Sequence, residues 1–161
     1  MVVEWEDATR PARDAGIRVA CTRSGMVLSP KGGALAKMLP LFRFGLGGRF
    51  GNGRQYWSWI SLQDEVRAFL FLLDHDVSGP VNFTAPQPVT NAQFTKALAS
   101  VLRRPAVVPV PAFGPKLVVG GELAQELLFT SARIVPRKLL DAGFTFEHDE
   151  LTDALRAVLE R

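Results

Sequence analysis

The sequence predicts an α/β fold built on a parallel sheet, followed by a smaller, mainly helical C-terminal part. Three observations carry this. Ile17-Arg-Val-Ala-Cys-Thr22 is a nearly continuous apolar, β-branched run, the pattern of a strand covered on both faces as in a parallel sheet. A helix-like stretch feeds that strand through a single glycine, Gly16, which makes half of a β-α-β unit. Beyond Arg103-Arg104-Pro105 the alternation of strand and helix gives way to proline-punctuated helical segments. No strand-like run precedes the first helix, so the pattern is expected to open in the middle of a sheet.

The elements follow in order. Val2 to Ala15 reads as an amphipathic helix interrupted at Pro11 and closed by Gly16. The strand Ile17–Thr22 comes next, with Cys21 as a small buried hydrophobe. Arg23, Ser24 and Gly25 then stand at the carboxyl end of that strand, where open α/β sheets bind ligands. A plain strand-to-loop exit accounts for the same three residues equally well. Ala34 to Phe44 is an apolar helix that Pro40 should kink. Tyr56 to Ile60 is a short aromatic strand, and Ser61 with Asp64 has capping-box-like spacing before a helix from Gln63 to Asp74. In that helix Val66, Phe69, Leu70 and Leu73 fall at helical spacing, which predicts a core-facing stripe.

Val81–Thr84 is a short strand, and Thr90 with Gln93 forms a capping box opening the helix Asn91 to Leu102. Val107 to Pro111 should be extended, because each proline disfavours helix at the residue before it. Pro115 to Phe129 reads as a helix weakened by Gly120 and Gly121. Pro136 opens a short helix to Ala142, Gly143 caps it, and Phe144–Phe146 is extended. A helix from Asp149 or Glu150 to Leu159 closes the chain.

The stretch Arg43 to Arg67 organises the functional reading. Gly45, Gly47, Gly48, Gly51 and Gly53 allow a backbone that approaches a ligand closely, and Arg43, Arg49 and Arg54 add cationic forks. A flexible cationic loop, an aromatic strand and a capped helix suit the grip of an anionic small molecule; a glycine-rich surface connection is the plainer alternative. Gly45, Gly48 and Gly51 also fit a dinucleotide-binding spacing. That motif needs a strand before the glycines and a helix after them, because the pyrophosphate sits on the helix end. Here a helix precedes and a strand follows, so the match is rejected.

Composition narrows the function classes. At 161 residues one domain with a small appendage is expected, and 47% apolar residues suffice for a core. The net charge of +3 comes from dispersed arginines, which disfavours nucleic acid. A single cysteine and two distant histidines, His75 and His148, exclude a disulfide and a metal cluster and fit a reducing, cytoplasmic setting. No apolar run is long enough to span a bilayer and no signal peptide is visible, so no membrane partner is expected. The two histidines are read as solvated or capping, and the acid pairs Asp64/Glu65 and Asp149/Glu150 as helix-dipole partners. Ile60 stands four residues after the lone Tyr56, so no Tyr-x-x-x-Lys pair exists and no catalytic residue is assigned.

Several motifs in succession resemble one family. They are Arg23-Ser-Gly-Met-Val-Leu, Gly32-Gly-Ala-Leu, Leu39-Pro-Leu-Phe-Arg-Phe-Gly-Leu-Gly-Gly, Gly51-Asn-Gly-Arg-Gln-Tyr-Trp-Ser-Trp-Ile-Ser-Leu-Gln-Asp-Glu and Gly79-Pro-Val-Asn-Phe-Thr-Ala-Pro-Gln-Pro-Val-Thr-Asn-Ala-Gln-Phe. The chain resembles the C-terminal half of an extended short-chain dehydrogenase/reductase, closest to the epimerase family proteins of the NAD-dependent epimerase/dehydratase type. Val108-Pro-Val-Pro-Ala-Phe, Gly121-Glu-Leu-Ala and Pro136-x-Lys-Leu-Leu-x-Ala-Gly-Phe are similar to the small C-terminal domain of unknown function in that group.

The resemblance implies the last strands of a Rossmann-like sheet with a substrate loop over residues 1–103, and the appended domain over 104–161. It implies that Arg23, Ser24 and Gly25 lie beside the cofactor, and that Arg43, Arg49, Arg54, Tyr56 and Trp57 help form the substrate side. The cofactor of the complete protein would be NAD(P), with none bound by this chain alone, because the dinucleotide turn would lie upstream of Met1. The substrate would be anionic or sugar-nucleotide-like, and a complementing N-terminal half or a homo-oligomer would be the protein partner. The alternative is a stand-alone module that binds a small molecule or a protein.

Overall fold

The computed structural model describes residues 2–106 and 131–160. The expected extended run Val107–Pro111 and helix Pro115–Phe129 lie outside the described residues. The chain opens with two short helices, α1 (Val2–Asp7) and α2 (Arg10–Asp14), divided just before Pro11. Gly16, at φ +77°, turns the chain out of α2.

Strand β1 is Ala20–Ser24, three residues later at its start than the apolar run suggested. It pairs in parallel with β5 (Gly79–Phe83), with Ala20 opposite Gly79 and Ser24 opposite Phe83. One residue on, β2 (Met26–Leu28) pairs in parallel with β4 (Trp59–Ser61). The neighbour therefore changes at Gly25, whose N–H still donates to Phe83 O at 2.9 Å, whereas Met26 N–H donates to Ser58 O at 2.8 Å. Ala85 N–H in turn donates to Trp59 O, so the sheet splits around β4. Gly25 sits in the fork: a Cβ there would lie 2.5 Å from Ser58 O and 3.0 Å from Thr84 Cγ2.

The aromatic run Tyr56–Ile60 is two strands rather than one. β3 (Tyr56–Trp57) pairs antiparallel with β6 (Val89–Thr90), and Ser58 marks the break before β4. The reason is long-range: each half of the run finds a different partner strand.

Helix α3 (Gly33–Arg43) carries Pro40 in its interior and buries Leu35, Met38, Leu39 and Phe42. Helix α4 (Leu62–Asp74) starts at Ser61, whose Oγ accepts Asp64 N–H. Helix α5 (Asn91–Leu102) opens on a complete capping box, with Gln93 N–H on Thr90 Oγ1 and Thr90 N–H on Gln93 Oε1. Among the described residues two helices follow, α6 (Arg137–Asp141) and α7 (Leu151–Leu159); residues 144–146 between them form no strand. Leu151, Ala154 and Leu155 of α7 join Phe94 and Leu98 of α5 and the buried face of α3 in one apolar cluster. A second cluster gathers Ile60, Ala68, Leu72, Val81, Phe83, Leu139 and Phe144 under α4.

Three expectations are corrected. The stripe Val66, Phe69, Leu70 and Leu73 is not core: these residues are 46–73% exposed, and α4 instead buries Asp64, Glu65, Ala68 and Leu72. The apolar spacing fits two faces of one helix, and the small Ala68 lets the backbone approach the sheet on the other. Strand β1 is not covered on both faces, since Thr22, Arg23 and Ser24 are exposed and Cys21 is only half-buried. β5 lies along one of its edges. His148 is not solvated: its side chain is 12% exposed. His75 does sit at the C-terminal cap of α4, stacked on Phe71.

Candidate functional site

A cavity of about 430 Å³ opens beside the fork, at the carboxyl end of β1 and the amino ends of β2 and β4. Ser24, Gly25, Tyr56, Trp57, Ser58 and Ile134 are among its lining residues. Such a position, outside the strand ends where the sheet changes partners, is where open α/β folds place ligands.

Each wall has a local cause. Ser24 is the last residue of β1, and its hydroxyl donates to Glu65 Oε1 at 2.6 Å. Glu65 stands in the first turn of α4, is 8% exposed, and leaves Oε2 without a hydrogen-bond partner among the described residues. Burial pushes its carboxyl above the usual glutamate range, and the Ser24 hydrogen bond offsets part of that rise. Ser58 is held between strands: its Oγ donates to Ala132 O at 2.7 Å and accepts Ile134 N–H at 2.9 Å. The 131–134 segment is laced to the same strand region by Tyr56 N–H on Ser131 Oγ and Ala132 N–H on Tyr56 O. Arg133 lies with its guanidinium carbon 5.7 Å from the centre of the Tyr56 ring, adding a cation beside the cavity. Trp57 is packed between Phe50 and Phe94, so most of its ring belongs to the core.

The structure therefore brings together Ser24, Gly25, Tyr56 and Trp57 from the residues singled out in the sequence. Arg23 points elsewhere: its Nε and Nη2 donate to the two carboxylate oxygens of Glu6 at 2.6 and 2.8 Å. That fork holds the Glu6 carboxyl below the usual range. Arg43, Arg49 and Arg54 are exposed and do not line this cavity. The glycine loop runs from α3 into β3, so the helix-before, strand-after order that excludes a dinucleotide turn is present.

Sequence reasoning missed Glu65, Ser58 and Arg133. Asp64 and Glu65 are adjacent acids about 100° apart on a helix, and both are buried. Nothing in the sequence set Glu65 apart from an ordinary first-turn acid. Among the described residues no group of histidines, cysteines and acids could hold a metal, and no helix is long and apolar enough to cross a membrane.

The comparisons agree with this fold. The sequence profile of DUF1731, a domain of unknown function, matches residues 110–158. The epimerase family protein ML0860 of Mycobacterium leprae is 50% identical over 153 residues, covering 94% of this chain and 50% of that protein. Human epimerase family protein SDR39U1, whose crystal structure holds NADPH, superposes with a TM-score of 0.82 at 36% identity, over 90% of this chain and 49% of that one. A nucleoside-diphosphate sugar epimerase from Corynebacterium glutamicum gives a TM-score of 0.72 at 35% identity, over 96% of this chain and 29% of that one. The chain spans about half the length of the curated relatives it matches. By sequence and by fold the chain is similar to the epimerase family proteins, a Rossmann-like family of short-chain dehydrogenase/reductase type, with a DUF1731 C-terminal part.

Proposed function

We propose that this chain supplies the substrate-side wall of an NAD(P)-dependent epimerase or oxidoreductase and does not turn over alone. The observation that carries the reading is the cavity at the carboxyl end of β1, beside the fork at Gly25 where β2 begins. Its residues fit the ring end of a dinucleotide: an aromatic wall at Tyr56 and Trp57, and the Ser24 hydroxyl for a neutral polar group. Bound NAD(P) would accept and return hydride; the chain's own residues would orient the ring and the substrate. The floor that holds the pyrophosphate would come from a complementing N-terminal half, pairing along the edge of β1 that faces away from β5.

The exposed face of α4, with Val66, Phe69, Leu70 and Leu73, supports the need for such a protein partner, whether that half or a second copy. An anionic or sugar-nucleotide-like substrate would reach the cavity past Arg133 and the exposed Arg49 and Arg54. In this reading residues 1–103 supply most of the site's walls, and the appended part, 104–161, completes them with Ala132 and Ile134.

The test is calorimetry with NADPH, on the chain alone and on the chain co-expressed with a segment encoding a strand, a glycine-rich turn and a helix. Binding only by the completed protein is expected. Micromolar binding by the chain alone would overturn the division of labour, and would favour the stand-alone binding module. In the completed protein Arg54→Ala should weaken a sugar-nucleotide ligand; an unchanged dissociation constant would remove the loop from the site.

A further inference from the structure

Ser24 and Glu65 share one short hydrogen bond at the inner end of the cavity. Ser24 lines the cavity; Glu65 sits behind it and does not. Ser58, the neighbouring hydroxyl, already donates to Ala132 O and accepts Ile134 N–H. Ser24 differs, because among the described residues its hydroxyl bonds only to a carboxyl group that is more than nine-tenths buried. A hydroxyl has one proton and two acceptor sites, so what Glu65 takes from it decides what is left for a ligand.

We propose that Glu65 is a positioning residue that sets which hydrogen-bonding face Ser24 turns to the cavity's ligand. As a carboxylate, Glu65 can only accept, so the Ser24 proton is committed inward and the ligand meets lone pairs. As a carboxylic acid, Glu65 can donate its own proton to Ser24 Oγ, and the Ser24 proton turns to the ligand. The ionised form selects ligands that offer N–H or O–H at this point; the neutral form selects ligands that offer a carbonyl. The orphaned Oε2 favours the neutral form, since a buried carboxylate oxygen without a partner is costly.

Among the described residues few other charges intervene; Arg133 lies over the Tyr56 ring. Strands β2, β4 and β5 carry no titratable side chain. β1 brings Arg23, which Glu6 holds, and Cys21, whose sulfur lies 4.0 Å from Thr9 Oγ1. On α4 itself, Asp64 and Arg67 bond to each other, and Asp64 accepts the backbone of the 147–148 segment that carries Glu147 and His148.

The proposal rests on the cavity being a ligand site, though not on which ligand fills it. It can be tested on the chain as it stands, with two neutral probes followed by amide chemical shifts of Ser24, Gly25 and Tyr56. Acetophenone offers only an acceptor; benzamide offers both an acceptor and donors. Acetophenone affinity should fall at least tenfold as pH rises through the titration of Glu65, while benzamide changes less than threefold. In Glu65→Gln, which keeps shape without a titrating proton, both profiles should be flat, and Ser24→Ala should also lose the acetophenone dependence. A flat acetophenone profile in the unsubstituted chain, the same slope in Glu65→Gln, or no binding of either probe would overturn the proposal. NADPH binding by the completed protein reads the proposed function separately, so the two can fail independently.

Discussion

Asp64 Oδ2 accepts the backbone N–H of His148 at 3.0 Å, and the His148 imidazole Nδ1 lies 3.7 Å from the same oxygen. Oδ1 accepts Glu147 N–H at 2.9 Å and Arg67 Nη1 at 2.8 Å, and the Ser61 hydroxyl donates to Oδ2 at 3.0 Å. One fully buried carboxylate thus pins the approach to α7 onto the start of α4. A helix-dipole role alone does not require so many donors.

Removing that hub should be costly. Asp64→Ala would leave two backbone N–H groups, a hydroxyl and a guanidinium without their acceptor, with an expected loss of about 3–5 kcal/mol. Asp64→Asn keeps one acceptor oxygen and should lose about 1–3 kcal/mol. Urea unfolding gives the stabilities, and amide exchange at Glu147 and His148 should accelerate in both variants.

Gly25→Ala should destabilise the sheet fork. The added methyl would meet a backbone oxygen, Ser58 O, at 2.5 Å, and β2 or β4 must shift to admit it. A loss of about 3 kcal/mol is expected, the upper end of ordinary overpacking. Urea unfolding measures it, and a loss smaller than about 0.5 kcal/mol would mean that the fork is soft.

Glu65 makes a signed prediction for stability against pH. Its folded-state carboxyl titrates above the ordinary glutamate value because it is buried. Its contribution is therefore complete below that ordinary value and is lost as pH rises through the raised one. Glu65→Gln should match the unsubstituted chain in acid and become the more stable of the two as pH climbs. Melting temperatures across that range check it.

Glu6 has the opposite sign. Arg23 lowers its carboxyl, so the contribution of this pair is present above the ordinary glutamate value and is lost as pH falls toward the lowered one. Glu6→Gln should flatten that part of the acid limb. Arg23→Lys should do so in part, because a lysine cannot reproduce the two-pronged contact.

Local signals in the sequence were dependable where the structure is local. Thr90 and Gln93 form the capping box their spacing announces, Ser61 caps α4, and Gly143, at φ +88°, closes α6. The parallel pairing was legible too, as Thr22 stands opposite Val81. What was not legible depends on distant partners. The 3.6-residue period of α4 fits two faces, and only the sheet beneath selects Ala68 and Leu72 over Phe69 and Leu73. The break at Ser58 exists because β6 and β2 compete for neighbouring residues. Of the residues lining the cavity, Ser24 was singled out in the sequence at a strand end, and Tyr56 and Trp57 through the family resemblance. Glu65 was not, because an acid in a first helical turn has an ordinary explanation that hides a buried one.

The fork at Gly25 also limits how this chain can vary in length. Residues alternate sides along a strand, so one residue inserted or deleted between Ser24 and Met26 would invert Met26–Leu28 relative to β4. Leu28, buried in the first apolar cluster, and Val27, packed against the second, would exchange faces. Homologues should therefore keep a strict one-residue spacer here, and an engineered insertion scan should find this point intolerant.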